Sequence, residues 1–250
     1  MADAAMTRDD ALALYDPIRQ AIQRVLKAAP EACSRADMIR AAKQLGLWGG
    51  ENRIVAEDDS HLNMLMDVAL FEPNQRGNRA FDCFLETQAR QLDPADLALA
   101  RRMADAFFSI FRVAGRHETA GLWLEDLLEP GRRLWLMDRS LEASASNDRV
   151  LAMRVFDAGP FHAGFGIVVP ADDDTIQFCL DAKARGAPPP FRHSLAATLY
   201  GDASRAETPM SPEEAAFLWD LLTKPPTTAA TSKGRATPKT SRRARSTRKR

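Results

Sequence analysis

The spacing of apolar residues changes near Val113, and this change constrains the fold more than any other feature of the sequence. Before Val113, apolar residues recur every three or four positions, which is typical of amphipathic helices. After it come short alternating runs rich in Leu, Val, Trp and Phe, which are typical of strands. The sequence therefore predicts an α+β fold with a helical N-terminal half, a small antiparallel β meander or barrel-like sheet in the middle, C-terminal helices and a disordered basic tail.

Capping residues indicate where the helices begin. Asp16-Pro17 and Asp93-Pro94 each place a capping residue before a proline at the first helical position, and the second pair opens a helix predicted to bury Phe107 and Phe111. Ser34 forms a capping box with the aspartate three residues later. In the C-terminal part, helices are predicted over about 174–185, 191–200 and 212–222.

The predicted strands are short and are separated by turn-forming residues. Pro130-Gly131 suits the two central positions of a type II turn, because glycine tolerates the positive φ that this turn requires. Gly159–Gly166 is rich in glycine but lacks the order of a dinucleotide-binding or phosphate-binding loop, so a hairpin turn and strand is favoured. The predicted strands are Leu122–Leu124, Leu134–Asp138, Val150–Phe156 and Phe165–Val169.

Charge divides the chain into an acidic body and a basic tail. The formal net charge is zero, but residues 224–250 hold ten basic residues and no acid, so residues 1–223 carry a net charge of −10. The tail has too few apolar residues to offset its ordering entropy and is predicted to be disordered. We divide the chain into a helical region at 1–112, a sheet with C-terminal helices at 113–223 that packs with the first region, and the tail. The tail residues predicted to bind nucleic acid are Lys233, Arg235, Lys239, Arg242, Arg243, Arg245, Arg248, Lys249 and Arg250.

Composition and spacing indicate the compartment. Three cysteines lie far apart without a C-x-x-C pair, which indicates buried free thiols in a reducing compartment. Because the N-terminus lacks a hydrophobic segment and no apolar run approaches the length of a membrane span, we expect a cytoplasmic protein without a membrane partner.

Residues able to carry chemistry are present but lack a recognisable catalytic pattern. The four histidines, including His117 and His162, do not have metal-ligand spacing. Asp172-Asp173-Asp174 is placed to cap a helix, with a divalent cation site as the alternative. Glu125-Asp126 and Asp157 could form paired carboxylates only if folding brings them together. We therefore predict no cofactor and no metal, name no catalytic residue, and favour a non-enzymatic role.

The strand region interleaves aromatic residues with arginines, a composition also found in barrels that hold single-stranded nucleic acid. Residues 119–169 nevertheless contain five arginines against seven acids. A nucleic-acid-binding sheet should be positive, so we interpret the aromatics as core and the arginines as a solvated face. The residues concerned are Arg132, Arg133, Trp135, Arg139, Arg149, Arg154, Phe156, Phe161 and Phe165.

Five hydrophobic blocks lie in the middle of the chain: Asp67–Phe71, Arg79–Asp82, Phe108–Phe111, Leu124–Leu128 and Ala152–Phe156. They resemble those of uncharacterised conserved bacterial proteins, some relatives of which carry a C-terminal SEC-C-type metal-binding motif. This sequence has no cysteine or histidine after His193, so the SEC-C zinc site is not carried over. The resemblance implies a bacterial cytoplasmic protein of unknown role and no catalytic residue.

Three functional interpretations follow from the sequence. The first, which we favour, is a regulatory or adaptor protein whose body binds a protein partner and whose tail binds DNA, RNA or another polyanion without sequence specificity. The second is an enzyme with a cleft near residues 157–166. The third is a protein-interaction module whose tail only aids solubility.

Overall fold

A computed structural model describes residues 6–51, 53–186 and 193–207 of the 250-residue chain. These residues form eight α-helices and five β-strands, which confirms the α+β prediction. They belong to one compact unit that spans Met1–Thr208. The helices are α1 (Arg8–Ala28), α2 (Arg35–Leu45), α3 (Asp59–Phe71), α4 (Ala80–Thr87), α5 (Pro94–Met103), α6 (Arg139–Ser144), α7 (Asp173–Ala184) and α8 (Leu195–Glu207); the strands are β1 (Phe107–Arg116), β2 (Leu122–Asp126), β3 (Arg133–Met137), β4 (Val150–Asp157) and β5 (His162–Val169).

Two helices begin at the caps that the sequence predicts. The Ser34 side chain accepts a hydrogen bond from the Asp37 amide and the Asp37 carboxylate accepts one from the Ser34 amide, which confirms the capping box of α2. Asp172 accepts a hydrogen bond from the Thr175 amide at 2.7 Å and caps α7. The hydroxyl of Thr175, and after it this amide bond, lower the pKa of Asp172. The capping interpretation of the aspartate run is therefore confirmed.

Two predicted helix boundaries are wrong. The first helix begins at Arg8, under a capping box formed by Thr7 and Asp10, and Pro17 lies inside it. Proline removes one hydrogen bond from the helix, but the buried apolar stripe continues across it and outweighs that loss. The helix that begins at Pro94 ends at Met103, so Phe107 and its neighbours form a strand instead. The predicted 212–222 helix and the basic tail lie outside the described residues.

The five strands close into a barrel in the order β1-β2-β3-β5-β4. All neighbouring pairs are antiparallel except β3 and β5, which pair in parallel through Leu136 and His162. A simple antiparallel meander is therefore not observed, because α6 separates β3 from β4 and lets β5 pair between them. This connectivity is that of the five-stranded OB-type barrel.

Alternate residues of the strands fill the barrel. The strand pattern predicts that Leu134, Leu136, Val150 and Met153 are buried in the sheet. The two leucines of β3 and Met153 of β4 are buried, whereas Val150 is only partly buried. Leu141 of α6 packs into the same cluster and closes one end of the barrel. The interior residues are Phe111, Val113, Leu122, Leu124, Leu134, Leu136, Leu151, Met153 and Val155.

The helices cover one side of the barrel. The outer faces of β1, β4 and β5 pack against α2, α3 and α8 in one hydrophobic cluster, and residues of β3, β4 and β5 pack against α1, α4 and α5 in another. None of the described helices packs extensively against β2, whereas Trp135 and Met137 of β3 belong to the second cluster. The outer surface of β2 and of the first part of β3 is therefore the least covered part of the sheet. No described helix has both the length and the apolar character that a membrane span requires.

The three cysteines are unpaired, as the sequence predicts. Cys179 is buried and Cys33 is partly buried, but Cys83 is exposed, so the prediction of burial is wrong for that residue. Burial raises the pKa of the Cys33 thiol to about 11. Cys33 is therefore protonated at neutral pH and is a poor nucleophile.

Candidate functional site

Two tryptophans lie side by side on the outer surface of β2 and β3. Trp123 and Trp135 are cross-strand partners, and each stands between two leucines that point into the barrel. Because side chains alternate along a strand, both indoles point outward. His117, which follows β1, and Arg133 of β3 contact the same two rings. We call these four residues the aromatic face.

The aromatic face is a continuous stack. The imidazole of His117 lies parallel to the indole of Trp135, with ring centroids 3.9 Å apart and an interplanar angle of 5°. It also contacts the indole of Trp123, with centroids 4.6 Å apart and an angle of 47°. The guanidinium carbon of Arg133 lies 4.4 Å from the centre of the Trp123 ring system. Arg133 is exposed and is the outermost member of the stack.

Hydrogen bonds hold the rings in place. The indole N–H of Trp135 donates to the Ala120 carbonyl at 2.7 Å, and that of Trp123 donates to Glu118 Oε2 at 3.1 Å. The Thr119 amide donates to Nδ1 of His117 at 3.1 Å, which places the proton of the neutral imidazole on Nε2. With their edges fixed, the rings form a preorganised surface rather than a mobile cluster.

His117 is an aromatic member of the stack rather than a charged one at neutral pH. Burial lowers its pKa and nearby Arg133 lowers it further, while Glu118 opposes both effects. The ordinary pKa of a histidine side chain is close to 6.5, so a lowered pKa leaves His117 uncharged at pH 7. The face can therefore accept a further planar group without placing a cation between the rings.

A groove continues the aromatic face toward the β2–β3 turn. It encloses about 440 Å³ and is lined by Leu127, Pro130, Arg132 and Arg133, among others. Gly131 has a φ of 88°, which confirms the predicted turn. The buried carboxylate of Asp126 holds this turn, because it accepts hydrogen bonds from the Leu128 and Glu129 amides and from Arg132.

The aromatics and arginines singled out in the sequence have mixed locations. Phe156, Phe161 and Phe165 are buried, which confirms the core interpretation for these three residues. Trp135 is partly buried outside the barrel, where it packs against the helical core cluster through Phe161 and stacks on His117 in the aromatic face. Arg154 is 3% exposed, so its assignment to a solvated face is wrong.

Arg154 is the centre of a buried ion cluster between β4 and α3. Its Nε donates to Asp67 Oδ1 at 2.8 Å and its Nη2 donates to Glu72 Oε1 at 2.5 Å. Burial would lower the pKa of Arg154, but the two carboxylates outweigh burial and raise it. The Tyr200 hydroxyl lies beside the same cluster and donates to the Ile167 carbonyl at 3.2 Å.

The candidate catalytic residues do not assemble into a recognisable centre. Gly159 and Pro160 form the turn between β4 and β5, and a Cβ on Gly164 would collide with Met153, so the hairpin prediction is confirmed. His162 begins β5, and burial lowers its pKa. Within the described ranges, no group of three or more His, Cys, Asp or Glu side chains could hold a metal ion. The predicted nucleic-acid-binding residues of the tail lie outside those ranges.

Comparison with known proteins gives one match. The family model described as "Family of unknown function (DUF7986)" matches residues 9–184. The chain belongs to this family. No curated protein and no solved structure matches it, so the OB-type description rests on strand order alone. The DUF7986 region contains the barrel and the aromatic face and ends before the basic tail.

Trp123 was missed in the sequence, and Trp135 was named there but interpreted as core. Trp123 and Trp135 each occupy the centre of a Leu-Trp-Leu triplet, which in a strand places the leucines inside and the tryptophan outside. This repeated triplet is the signal that could have identified the face. His117 gives no comparable signal, because it reaches the stack through the turn between β1 and β2.

Proposed function

We propose that this protein of the DUF7986 family binds single-stranded nucleic acid, with bases stacked on the aromatic face and phosphates neutralised by the basic C-terminal segment. The observation that carries the proposal is the fixed, partly open stack of Arg133, Trp123, His117 and Trp135 on β2 and β3. A regulatory or adaptor role accords with this activity, since it requires binding without chemistry.

The position of the stack supports this ligand. In OB-type barrels the surface of strands 2 and 3 is the one that binds oligonucleotides and oligosaccharides. Single-stranded nucleic acids are held there by aromatic side chains and by arginine planes, on which bases stack. Because Arg133 is exposed, a base can stack on its guanidinium or replace it over Trp123. Function does not follow from fold alone, so the residues of the face carry the argument.

Three of the seven acids between residues 119 and 169 do not oppose binding at this face, whereas Glu125, the cross-strand partner of Arg133, is exposed beside it. Asp126 is 4% exposed and pairs with Arg132, and Glu142 is 6% exposed and pairs with Arg8. Asp138 caps α6. These carboxylates are neutralised or turned away from the aromatic face. Counting charges along the sequence therefore overstates the repulsion that a phosphate would meet there.

The basic tail supports nucleic acid over oligosaccharide as the ligand. Close to the stack, Arg133 is balanced by Glu118, so stacking rather than charge dominates at the face itself. Phosphate neutralisation must come largely from elsewhere, and residues 224–250 supply ten cations without an acid. A neutral oligosaccharide would gain nothing from such a segment.

Replacing Trp123 by alanine is expected to weaken binding of a single-stranded oligonucleotide by about 5- to 150-fold, because one stacked base contributes about 1–3 kcal/mol. Fluorescence anisotropy with labelled single-stranded DNA and RNA measures this change. Trp48→Ala is the matched control, because Trp48 is also partly buried but lies near Lys43 and packs against the cluster of α2, α3 and α8, not against the aromatic face.

Equal affinities for Trp123→Ala and the unaltered protein would contradict the proposed site. The melting temperature of each variant is measured beside its affinity, so that a loss of binding is not confused with unfolding. Binding of a neutral oligosaccharide that depends on Trp123, with no binding of oligonucleotides, would assign the face to the other ligand class of OB-type barrels.

Truncation after Leu222 is expected to abolish duplex binding and to leave weak single-strand binding. If roughly half of the ten tail cations neutralise phosphates, log K for the full chain on duplex DNA should fall with log salt at a slope of about −4 to −5. A salt series with both chains measures the slopes. Duplex binding that survives truncation with its slope unchanged would place the cationic site on the body.

A further inference from the structure

A cleft separates α1 from α3 above β5, on the helix-covered side of the barrel. It encloses about 350 Å³. Helix α1 contributes Arg19 and Leu26 to its walls, α3 contributes Met66 and Asp67, and β5 contributes Phe165 and Gly166. The lining residues of both helices recur with a spacing of three or four, so each helix turns one continuous face to the cleft.

The cleft has the size and character of a ligand pocket rather than of a packing defect. Protein interiors leave few voids larger than one water molecule, whereas small-molecule pockets measure about 300–1,000 Å³. Apolar and polar side chains share the walls, with the buried ring of Phe165 on the apolar side and Arg19, Asn63 and Asp67 on the polar side. Such a mixture suits a ligand that has both an apolar body and polar groups.

Two groups of opposite charge stand at different depths of the cleft. Asp67 is 4% exposed, and its carboxylate contacts Arg154 through both oxygens and the Tyr200 hydroxyl as well, but a carboxylate has about four acceptor sites, so one remains for a ligand. Arg19 is only partly buried, and its one hydrogen bond to the Gly164 carbonyl is long, at 3.4 Å. Arg19 therefore retains donors for a ligand near the mouth, while Asp67 offers acceptors at the base.

Gly166 keeps space open beside the carboxylate. Its φ of 78° is in the left-handed region that favours glycine. A Cβ at this position would stand 3.5 Å from Asp67 Oδ1 and 3.2 Å from the Tyr200 hydroxyl. Any larger residue would therefore crowd the polar end of the cleft.

We propose that this cleft binds a small aromatic anion that carries an N–H or O–H donor. The aromatic body would occupy the apolar space beside Leu26, Met66 and Phe165. The anionic group would pair with Arg19, and the donor would bond to Asp67. A ligand that has an anionic group but no hydrogen-bond donor is disfavoured, because the Asp67 carboxylate would repel it and no hydrogen bond would offset this repulsion.

The test uses 8-anilinonaphthalene-1-sulfonate, which has an aromatic body, a sulfonate and an amine N–H. We expect saturable binding of one probe by the folded full-length protein, measured by fluorescence titration. Arg19→Gln should weaken binding about tenfold or more, since a charge-assisted hydrogen bond contributes about 1.5–3 kcal/mol. Leu26→Trp should weaken it similarly by filling the cleft.

Two controls separate this site from the rest of the molecule. Arg101→Gln removes an exposed arginine from α5, outside the cleft, and should leave the affinity unchanged. Because the aromatic face can also accept a planar group, the titrations are repeated in a Trp123→Ala background, where the effects of Arg19→Gln and Leu26→Trp should persist; the cleft is thereby tested independently of that face. Absence of saturable binding, or equal affinity in Arg19→Gln, Leu26→Trp and the unaltered protein, would overturn the proposal. Cooperative melting of each variant shows that its fold is retained.

Discussion

Replacing Arg154 by methionine is expected to lower the free energy of unfolding by about 3–5 kcal/mol at neutral pH. Arg154 is 3% exposed and is paired with Asp67, which is 4% exposed. Without the guanidinium, Asp67 is left buried with no cation beside it. Breaking a buried pair costs more than the pair contributes, because the remaining charge stays desolvated. Urea unfolding followed by circular dichroism measures the change.

The stability that Arg154→Met loses should depend on pH, because the substitution changes the pKa of Asp67. Burial raises the pKa of Asp67, and the attraction of Arg154 opposes this rise. In Arg154→Met the attraction of the guanidinium is absent, so the folded-state pKa of Asp67 rises further above its value in the unfolded protein. A group with a raised folded pKa stabilises the protein at low pH and loses that contribution as pH rises through the folded pKa. The destabilisation relative to the unaltered protein should therefore be smaller near pH 5 than near pH 8.

Two further variants test the cause. Removing both charges in Asp67→Leu with Arg154→Met should recover part of the stability, because apolar replacements of a buried pair are often neutral. Arg139→Met removes an exposed arginine that lies 3.2 Å from Asp16. It should cost less than about 1 kcal/mol, as surface pairs do. A similarly small loss for Arg154→Met at neutral pH would contradict the assigned role of the cluster.

The barrel interior was predictable because it depends on a local pattern. In β3 the order Leu134-Trp135-Leu136 alternates inward and outward positions, and the burial of both leucines follows from a period of two. The aromatic face depends on the same pattern, but the charge count concealed it. That count included acids such as Asp126 and Glu142, whose arginine partners are known only once the chain is folded.

Other features depend on contacts that no local pattern reveals. Phe107 and Phe111 are four residues apart, a spacing that fits one face of a helix and one face of a strand equally well. This segment forms a strand because it pairs with β2 and β4. Arg154 and Asp67 are 87 positions apart, so their pairing has no local signature and Arg154 resembles any surface arginine in the sequence.

Replacing Leu136 by aspartate is expected to unfold or aggregate the protein. Leu136 is fully buried inside the barrel, where its cross-strand partner is Leu122 and its neighbours are apolar. An unpaired carboxylate in this position costs several kcal/mol, which is comparable to the whole stability of a domain of about 5–15 kcal/mol. Solubility on expression and thermal melting followed by circular dichroism measure the result.

The opposite face of the same strand provides the control for Leu136→Asp. Arg133 lies on β3 but is exposed, so Arg133→Asp should fold and melt cooperatively. Leu136→Ala adds no charge and should cost about 2–5 kcal/mol through lost burial and the cavity left behind. The three variants together separate the effect of the charge from that of the lost volume. A soluble Leu136→Asp variant with an unchanged melting temperature would contradict the inward orientation of Leu136. It would also contradict the register of β2 and β3, because the outward orientation of Trp123 and Trp135 depends on that register.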